Sequence, residues 1–151
     1  MNILLVDDDN QSRHWLSSFL KESGHNTRET ENGNDAWEAL KSDVFDLMLT
    51  DFRMPGFNGL ELLKMFKSEY PGSDMDVIVM TAYAEVSNAI ETMRAGAYDY
   101  LTKPLRLEEL ILVLERLEER RSLLQQNRKL TNHIEQAVEE AVAEKKHELE
   151  A

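Results

Sequence analysis

Four groups of residues in this 151-residue chain carry chemistry by their type and spacing. Asp7, Asp8 and Asp9 stand together directly after the apolar run at residues 3–6, and Asp51 follows a second such run. Thr81 ends a third, and Lys103 stands before Pro104, just past a weaker one. Carboxylates crowded into one crevice raise one another's pKa unless a cation joins them. Oxygen-only ligands, with no histidine or cysteine beside them, suit a hard ion, Mg²⁺ rather than Zn²⁺. A lysine and a threonine opposite that ion complete an anion site. Such a set fits phosphoryl transfer, where catalysis is mostly positioning and charge stabilisation. Singly, each group is ordinary: acidic loops are solvated, a threonine after a strand caps a helix, and Lys-Pro ends a strand. They mean something only if the fold brings them together.

The pattern around them supplies that fold. Residues 3–6, 46–49 and 77–80 read as buried strands, rich in β-branched and large aliphatic side chains and stopped by polar clusters. Weaker strands are expected near 26–30 and 98–101. Between them lie helical faces: Trp15, Phe19 and Leu20 after Ser12; Ala36, Trp37, Ala39 and Leu40 after Gly33; Leu60, Leu62, Leu63 and Phe66 after Asn58. Ala89, Ile90 and Met93 set a fourth, with Gly96 as its stop. Strands joined by crossover helices must run parallel, and a parallel sheet needs helices on both faces. The expectation is an α/β fold, a (βα)5 doubly wound parallel five-stranded sheet with its ligand site at the carboxyl ends of the strands. All four chemical groups fall at those ends.

After Pro104 the chain contains no proline or glycine. Leu107, Leu110, Leu114 and Leu117 keep a 3-4-3 spacing, while Leu123, Asn127, Leu130, Ile134, Ala137 and Ala141 keep 4-3-4-3-4. The two frames do not join across residues 118–122, so a stutter or a break is expected there. The first part reads as a fifth helix of the domain. The rest is too long and polar for one small domain to cover, so it is expected to form a coiled-coil homodimer with a second copy. The domain boundaries are therefore placed at 1–118 for the globular domain and 119–151 for a C-terminal linker helix. A solvent-exposed linker helix that frays alone is the alternative.

A formal charge of −12 argues against direct nucleic-acid contact, which needs a basic face. The absence of cysteine excludes disulfides, thiolate metal sites and cysteine redox chemistry. No apolar run approaches a membrane span, and the first strand leads into aspartates with no basic leader, so neither membrane contact nor a secretory signal is expected. The expected location is the cytoplasm.

The runs Leu5-Val6-Asp7-Asp8-Asp9, Leu49-Thr50-Asp51-Phe52-Arg53-Met54-Pro55-Gly56-Phe57-Asn58-Gly59, Met80-Thr81-Ala82 and Thr102-Lys103-Pro104 resemble the motifs of response-regulator receiver domains of two-component systems. The resemblance covers residues 1 to about 118, in order. It implies the flavodoxin-like strand order 2-1-3-4-5 and a phosphoryl group accepted on Asp51, from a histidine kinase, a phosphotransfer protein or a small phosphodonor. It implies Mg²⁺ held by Asp8 directly, by Asp7 through water, and by Asp51 and the Arg53 backbone carbonyl. Lys103 then pairs with the phosphoryl oxygens, Thr81 swings to bond them, and the Ala82 amide donates nearby. Tyr100 matches the aromatic switch that turns inward as Thr81 moves, and Lys103-Pro104 resembles a bond that is cis in the family. On this reading the chain is no enzyme on an external metabolite; it promotes only its own phosphorylation and dephosphorylation, to control an attached or partner output module. Asp9 has no such role and reads as the cap of the first helix. Arg53 and Tyr83, two residues past Asp51 and Thr81, are expected to border the line of approach of a hydrolytic water.

Within receivers, Tyr83-Ala84-Glu85 and the run 95–101 look most like nitrogen-regulation-type enhancer-binding transcriptional activators, and the segment 138–151 is similar to signalling helices that precede output domains. A haloacid-dehalogenase-type phosphatase would use Asp7 as nucleophile with Asp9, Thr81 and Lys103, but leaves Asp51 without work and lacks the later acidic pair. A flavodoxin-like redox module would need a hydroxyl-rich loop where the aspartates stand. His14, His25, His133 and His147 have no ligand partners at helical spacing; His147-Glu148-Leu149 resembles the start of a kinase phosphoacceptor box but lacks its flanks.

Overall fold

The structure, a computed structural model, describes residues 1–82 and 86–150. Two compact units divide it, Met1–Leu105 and Arg106–Ala151. In the first unit, strands β1 (Asn2–Val6), β2 (Asn26–Thr30), β3 (Leu47–Asp51), β4 (Asp76–Thr81) and β5 (Asp99–Thr102) alternate with helices α1 (Asn10–Glu22), α2 (Gly33–Ser42), α3 (Gly59–Glu69) and α4 (Val86–Arg94). The strands form one parallel sheet in the order β2-β1-β3-β4-β5, as expected.

Alternation of side chains sorts the central strands onto two faces. Leu4, Val6, Met48, Val77 and Val79 meet Ala36, Ala39 and Leu40 of α2 and Leu60, Leu62, Leu63 and Phe66 of α3 in one buried cluster. The other parity (Ile3, Leu5, Leu47, Leu49, Ile78 and Met80) is also buried, and α1 contributes the buried Leu16 and Leu20. Three helix starts have a chemical cause. The Asp9 side chain accepts from the Gln11 and Ser12 amides, Asn32 caps α2, and Asn58 with Glu61 forms a capping box at α3. The expected cap role of Asp9 is thus present, and it opens α1 at Asn10, earlier than Ser12.

Two expected helical faces are turned. Trp15 is 51% exposed and stacks on Phe19, while the buried face of α1 is Arg13, Leu16, Ser17 and Leu20. On α4, Ile90 and Met93 are 48% and 44% exposed, and among the described side chains Thr92 is the buried one. Gly96 does stop this helix region, with a left-handed φ of 106° that glycine adopts at no steric cost.

The second unit is one helix, α5 (Leu107–Glu150), of 44 residues and roughly 66 Å at 1.5 Å per residue. It buries Leu110, Val113, Leu114 and Leu117, and every side chain described from residue 122 on is exposed. It runs without a break through residues 118–122, so of the two expected causes of the frame change the break is absent. No helix among the described residues is long and apolar enough to cross a membrane.

Candidate functional site

Parallel strands deliver their last residues to one edge, and the chemistry-bearing groups stand there. Asp7 follows β1, Asp51 ends β3, Thr81 ends β4 and Lys103 follows β5. Backbone bonds knit the edge together: Asp7 N donates to Thr30 O at 3.2 Å, Phe52 N to Met80 O at 2.7 Å and Lys103 N to Thr81 O at 2.7 Å. The Lys103-Pro104 peptide is cis. Gly59 opens α3 hard against this edge, because a Cβ there would lie 2.5 Å from the Asp51 carbonyl oxygen.

At the centre, Lys103 Nζ lies 2.6 Å from Asp51 Oδ1 and 2.9 Å from Asp7 Oδ2. The other oxygen of Asp7, Oδ1, accepts the Asp9 amide at 2.9 Å. Asp7, Asp51 and Thr81 are buried, whereas Asp8 is exposed at the mouth. Burial and the neighbouring Asp7 carboxylate push Asp51 up to about 7, against the pull of Lys103. Burial also works against the Asp7 anion, but hydrogen bonds with Asp51, Lys103 and the Asp9 amide outweigh it and hold Asp7 below the usual carboxylate value. Burial disfavours the Lys103 ammonium too, yet its two carboxylate partners keep its pKa above the ordinary lysine value. Burial thus wins at Asp51, whereas the hydrogen bonds within the cluster win at Asp7 and Lys103 and favour their charged forms.

Asp7, Asp8 and Asp51 each offer an oxygen, and the three atoms lie within 4.8 Å of one another. With oxygen donors only, this pocket is compatible with a hard divalent cation. The cleft above them measures about 270 Å³ and is also lined by Asp9, Arg53, Thr81, Ala82 and Lys103. The structure thus brings together Asp7, Asp8, Asp51, Arg53, Thr81, Ala82 and Lys103. Tyr100 packs edge-on against Phe52, ring centroids 6.5 Å apart, and its hydroxyl is buried with no hydrogen-bond partner among the described residues. Tyr83, expected beside Arg53 on the water's approach, lies outside the described residues.

Sequence reasoning missed Arg13. It is 5% exposed and donates through Nη1 to the Asp7 carbonyl at 2.8 Å, through Nη2 to Asn10 Oδ1 at 2.8 Å and through Nε to Glu29 Oε1 at 3.1 Å. The signal was in the sequence: residues 13, 16, 17 and 20 share one helical face, and Arg13 occupies its first position.

Residues 3–115 match the response regulator receiver domain family. The DNA-binding transcriptional regulator NtrC of Proteus hauseri is 39% identical over 115 residues, 76% of this chain and 24% of that protein. The regulatory protein AtoC of Escherichia coli K12 is 38% identical over 136 residues, 90% of this chain and 28% of that one. Among solved structures, the receiver domain of Francisella response regulator 1452 superposes with a TM-score of 0.72 at 29% identity, covering 79% of this chain and 97% of the other. The sheet order, the acidic edge and these likenesses agree, and the chain belongs to the response-regulator receiver family of two-component signalling. Its likeness is to receivers of the NtrC kind, and it spans about a quarter of the length of those curated relatives. Nothing in these likenesses supports the haloacid-dehalogenase alternative.

Proposed function

We propose that Asp51 accepts a phosphoryl group from a phosphohistidine of a partner kinase or phosphotransfer protein, with Mg²⁺ held by Asp7, Asp8, Asp51 and the Arg53 carbonyl. An Asp51 oxygen attacks phosphorus, the P–N bond to the donor imidazole breaks, and the imidazole leaves with a proton from solvent. When bound, the ion offsets charge on the carboxylates and the phosphoryl oxygens. Lys103 pairs with one phosphoryl oxygen, while the Thr81 hydroxyl and the Ala82 amide donate to others. Hydrolysis by water returns the Asp51 carboxylate and inorganic phosphate, so the domain promotes its own phosphorylation and dephosphorylation and turns over no external metabolite. Movement of Thr81 toward the phosphoryl group frees space for Tyr100, giving two packings between which the phosphoryl group selects.

The observation that carries this reading is the Lys103 ammonium bridging Asp51 and Asp7 at the strand ends, 2.6 and 2.9 Å away. That arrangement offers a fixed cation to an anion arriving at Asp51 and leaves Asp8 facing the mouth. Acetyl phosphate with Mg²⁺ should add one phosphoryl group by intact mass, located on Asp51. Asp51→Asn should take up none; a label on Asp7, or one that survives this substitution, overturns the assignment. The switch would act on an output module that controls transcription, in the cytoplasm. The globular domain spans 1–118, and α5 beyond it pairs with a second copy; this chain itself makes no direct contact with nucleic acid.

A further inference from the structure

Asp8 is the exposed member of the acidic group, and its carboxylate has no hydrogen-bond partner among the described residues. Its position therefore depends on the two peptide groups that flank it. The peptide after it is pinned through its N–H, because the Asp9 amide donates to Asp7 Oδ1 at 2.9 Å. The peptide before it is pinned through its C=O, because Arg13 Nη1 donates to the Asp7 carbonyl at 2.8 Å. Arg13 is itself locked by Asn10 and Glu29, and its amide bonds to the Asp9 carbonyl at 3.0 Å. The guanidinium thus closes a loop over residues 7–13 with Asp8 within it. A buried guanidinium is costly unless its donors are satisfied, and its planar fork reaches three acceptors in a way lysine's single ammonium cannot.

We propose that Arg13 is a positioning residue of the ion site, holding the Asp7–Asp8 peptide so that the exposed Asp8 carboxylate stands ready for a hard divalent cation. This rests on the reading of Asp8 as an ion ligand. Two effects of Arg13 oppose each other, which makes the sign of the result informative. A positive charge beneath the site repels a cation, so charge alone predicts that removing Arg13 tightens binding. Positioning predicts that removal weakens it, because the backbone carrying Asp8 is released and the ordered geometry must be recovered on binding.

The test is a Mn²⁺ titration of the full chain followed by the electron paramagnetic resonance signal of the free ion, at fixed pH and ionic strength and with folding checked by circular dichroism. Mn²⁺ shares the preference of Mg²⁺ for oxygen ligands. Arg13→Met should weaken Kd about tenfold, the lower end of the range for lost groups that orient metal ligands. In an Asp8→Asn background the same substitution should cost less than about twofold, since the ligand that Arg13 positions is already impaired. An unchanged or tighter Kd for Arg13→Met, or an undiminished loss in the Asp8→Asn background, overturns the inference. Should Arg13→Met fail to fold, Arg13→Lys decides: a Kd about threefold weaker is expected from its single-point donor, and a Kd equal to wild type overturns the inference. Failure of the underlying reading looks different, because then the wild type itself takes up no Mn²⁺ and both fall.

Discussion

Asp51 is a carboxyl group held where its charged form is disfavoured, and stability should report this. Its folded-state pKa of about 7 stands against 3.8 for the ordinary group, so between pH 4 and 7 the folded protein keeps a proton that the unfolded chain releases. The contribution of Asp51 to stability is therefore full below about pH 4 and lost as pH rises through 7. Asp7, shifted the opposite way, adds stability above its ordinary value and loses it in acid, which reduces the net effect. Acting alone, Asp51 would carry on the order of 4 kcal/mol. With Asp7 opposing and Lys103 deprived of one partner, Asp51→Asn should stabilise the metal-free protein by ~2 kcal/mol at pH 8. Chemical denaturation in the presence of a chelator checks this, and the advantage should shrink as pH falls from 7 toward 4. A variant less stable than wild type at pH 8 would mean that the ion pair with Lys103 outweighs burial. This cost sits at the residue proposed to accept the phosphoryl group, in keeping with the way perturbed carboxyl groups cluster at functional sites.

The longest element poses its own question of what covers it. From residue 122 to 149 α5 is exposed throughout, although it carries Leu123, Leu130 and Ile134 on one heptad stripe with Asn127 between them. A lone polar helix of this kind is marginal in water, whereas pairing buries the stripe, and an Asn at one seam position favours a defined register. A chain ending at residue 120 should therefore associate at least about tenfold more weakly than the full chain in analytical ultracentrifugation. Equal constants would place the contact elsewhere or leave α5 solitary. The elements also show where sequence reading succeeded. Buried strands and the α2 and α3 faces were legible because a parallel sheet demands nearly continuous apolar runs and its helices need one apolar stripe each. The site was legible because strand ends are fixed by those same runs, so Asp7, Asp51, Thr81 and Lys103 could be placed together from the pattern. Misreading began where side-chain size competes with position. Trp15, Ile90 and Met93 drew the predicted faces toward themselves by being large, while the buried positions were held by Arg13, Ser17 and Thr92. Hydrophobicity alone cannot identify a buried arginine whose burial is supported by three hydrogen bonds.

On the scale of the whole chain, a net charge of −12 surrounds a site that, on the proposed function, attracts a cation and then tolerates a phosphoryl group. The acidic field favours divalent ions and disfavours polyanions, and both effects weaken with salt. On the proposed function, what the chain can do with a phosphoryl group depends on coupling between Asp51 and a surface that another molecule reads. If α5 pairing is that readout, the two events share a free energy, and linkage makes the effect reciprocal. Beryllofluoride with Mg²⁺, a stand-in for the phosphoryl group, should then change the association constant of the full chain by about fivefold or more, the lower edge of ordinary allosteric coupling. Pairing should change the apparent beryllofluoride affinity by the same factor, so titrations at low and high protein concentration must differ to that extent. Asp51→Asn should abolish the shift while leaving basal association intact, which separates loss of the signal from loss of the interface. Thr81→Ala should still take up beryllofluoride, held by the ion and Lys103, yet transmit less if the proposed switch operates, because the hydroxyl proposed to move and admit Tyr100 is gone. An association constant that ignores beryllofluoride in the wild type would show that α5 pairs independently of the site and that the phosphoryl state is read elsewhere.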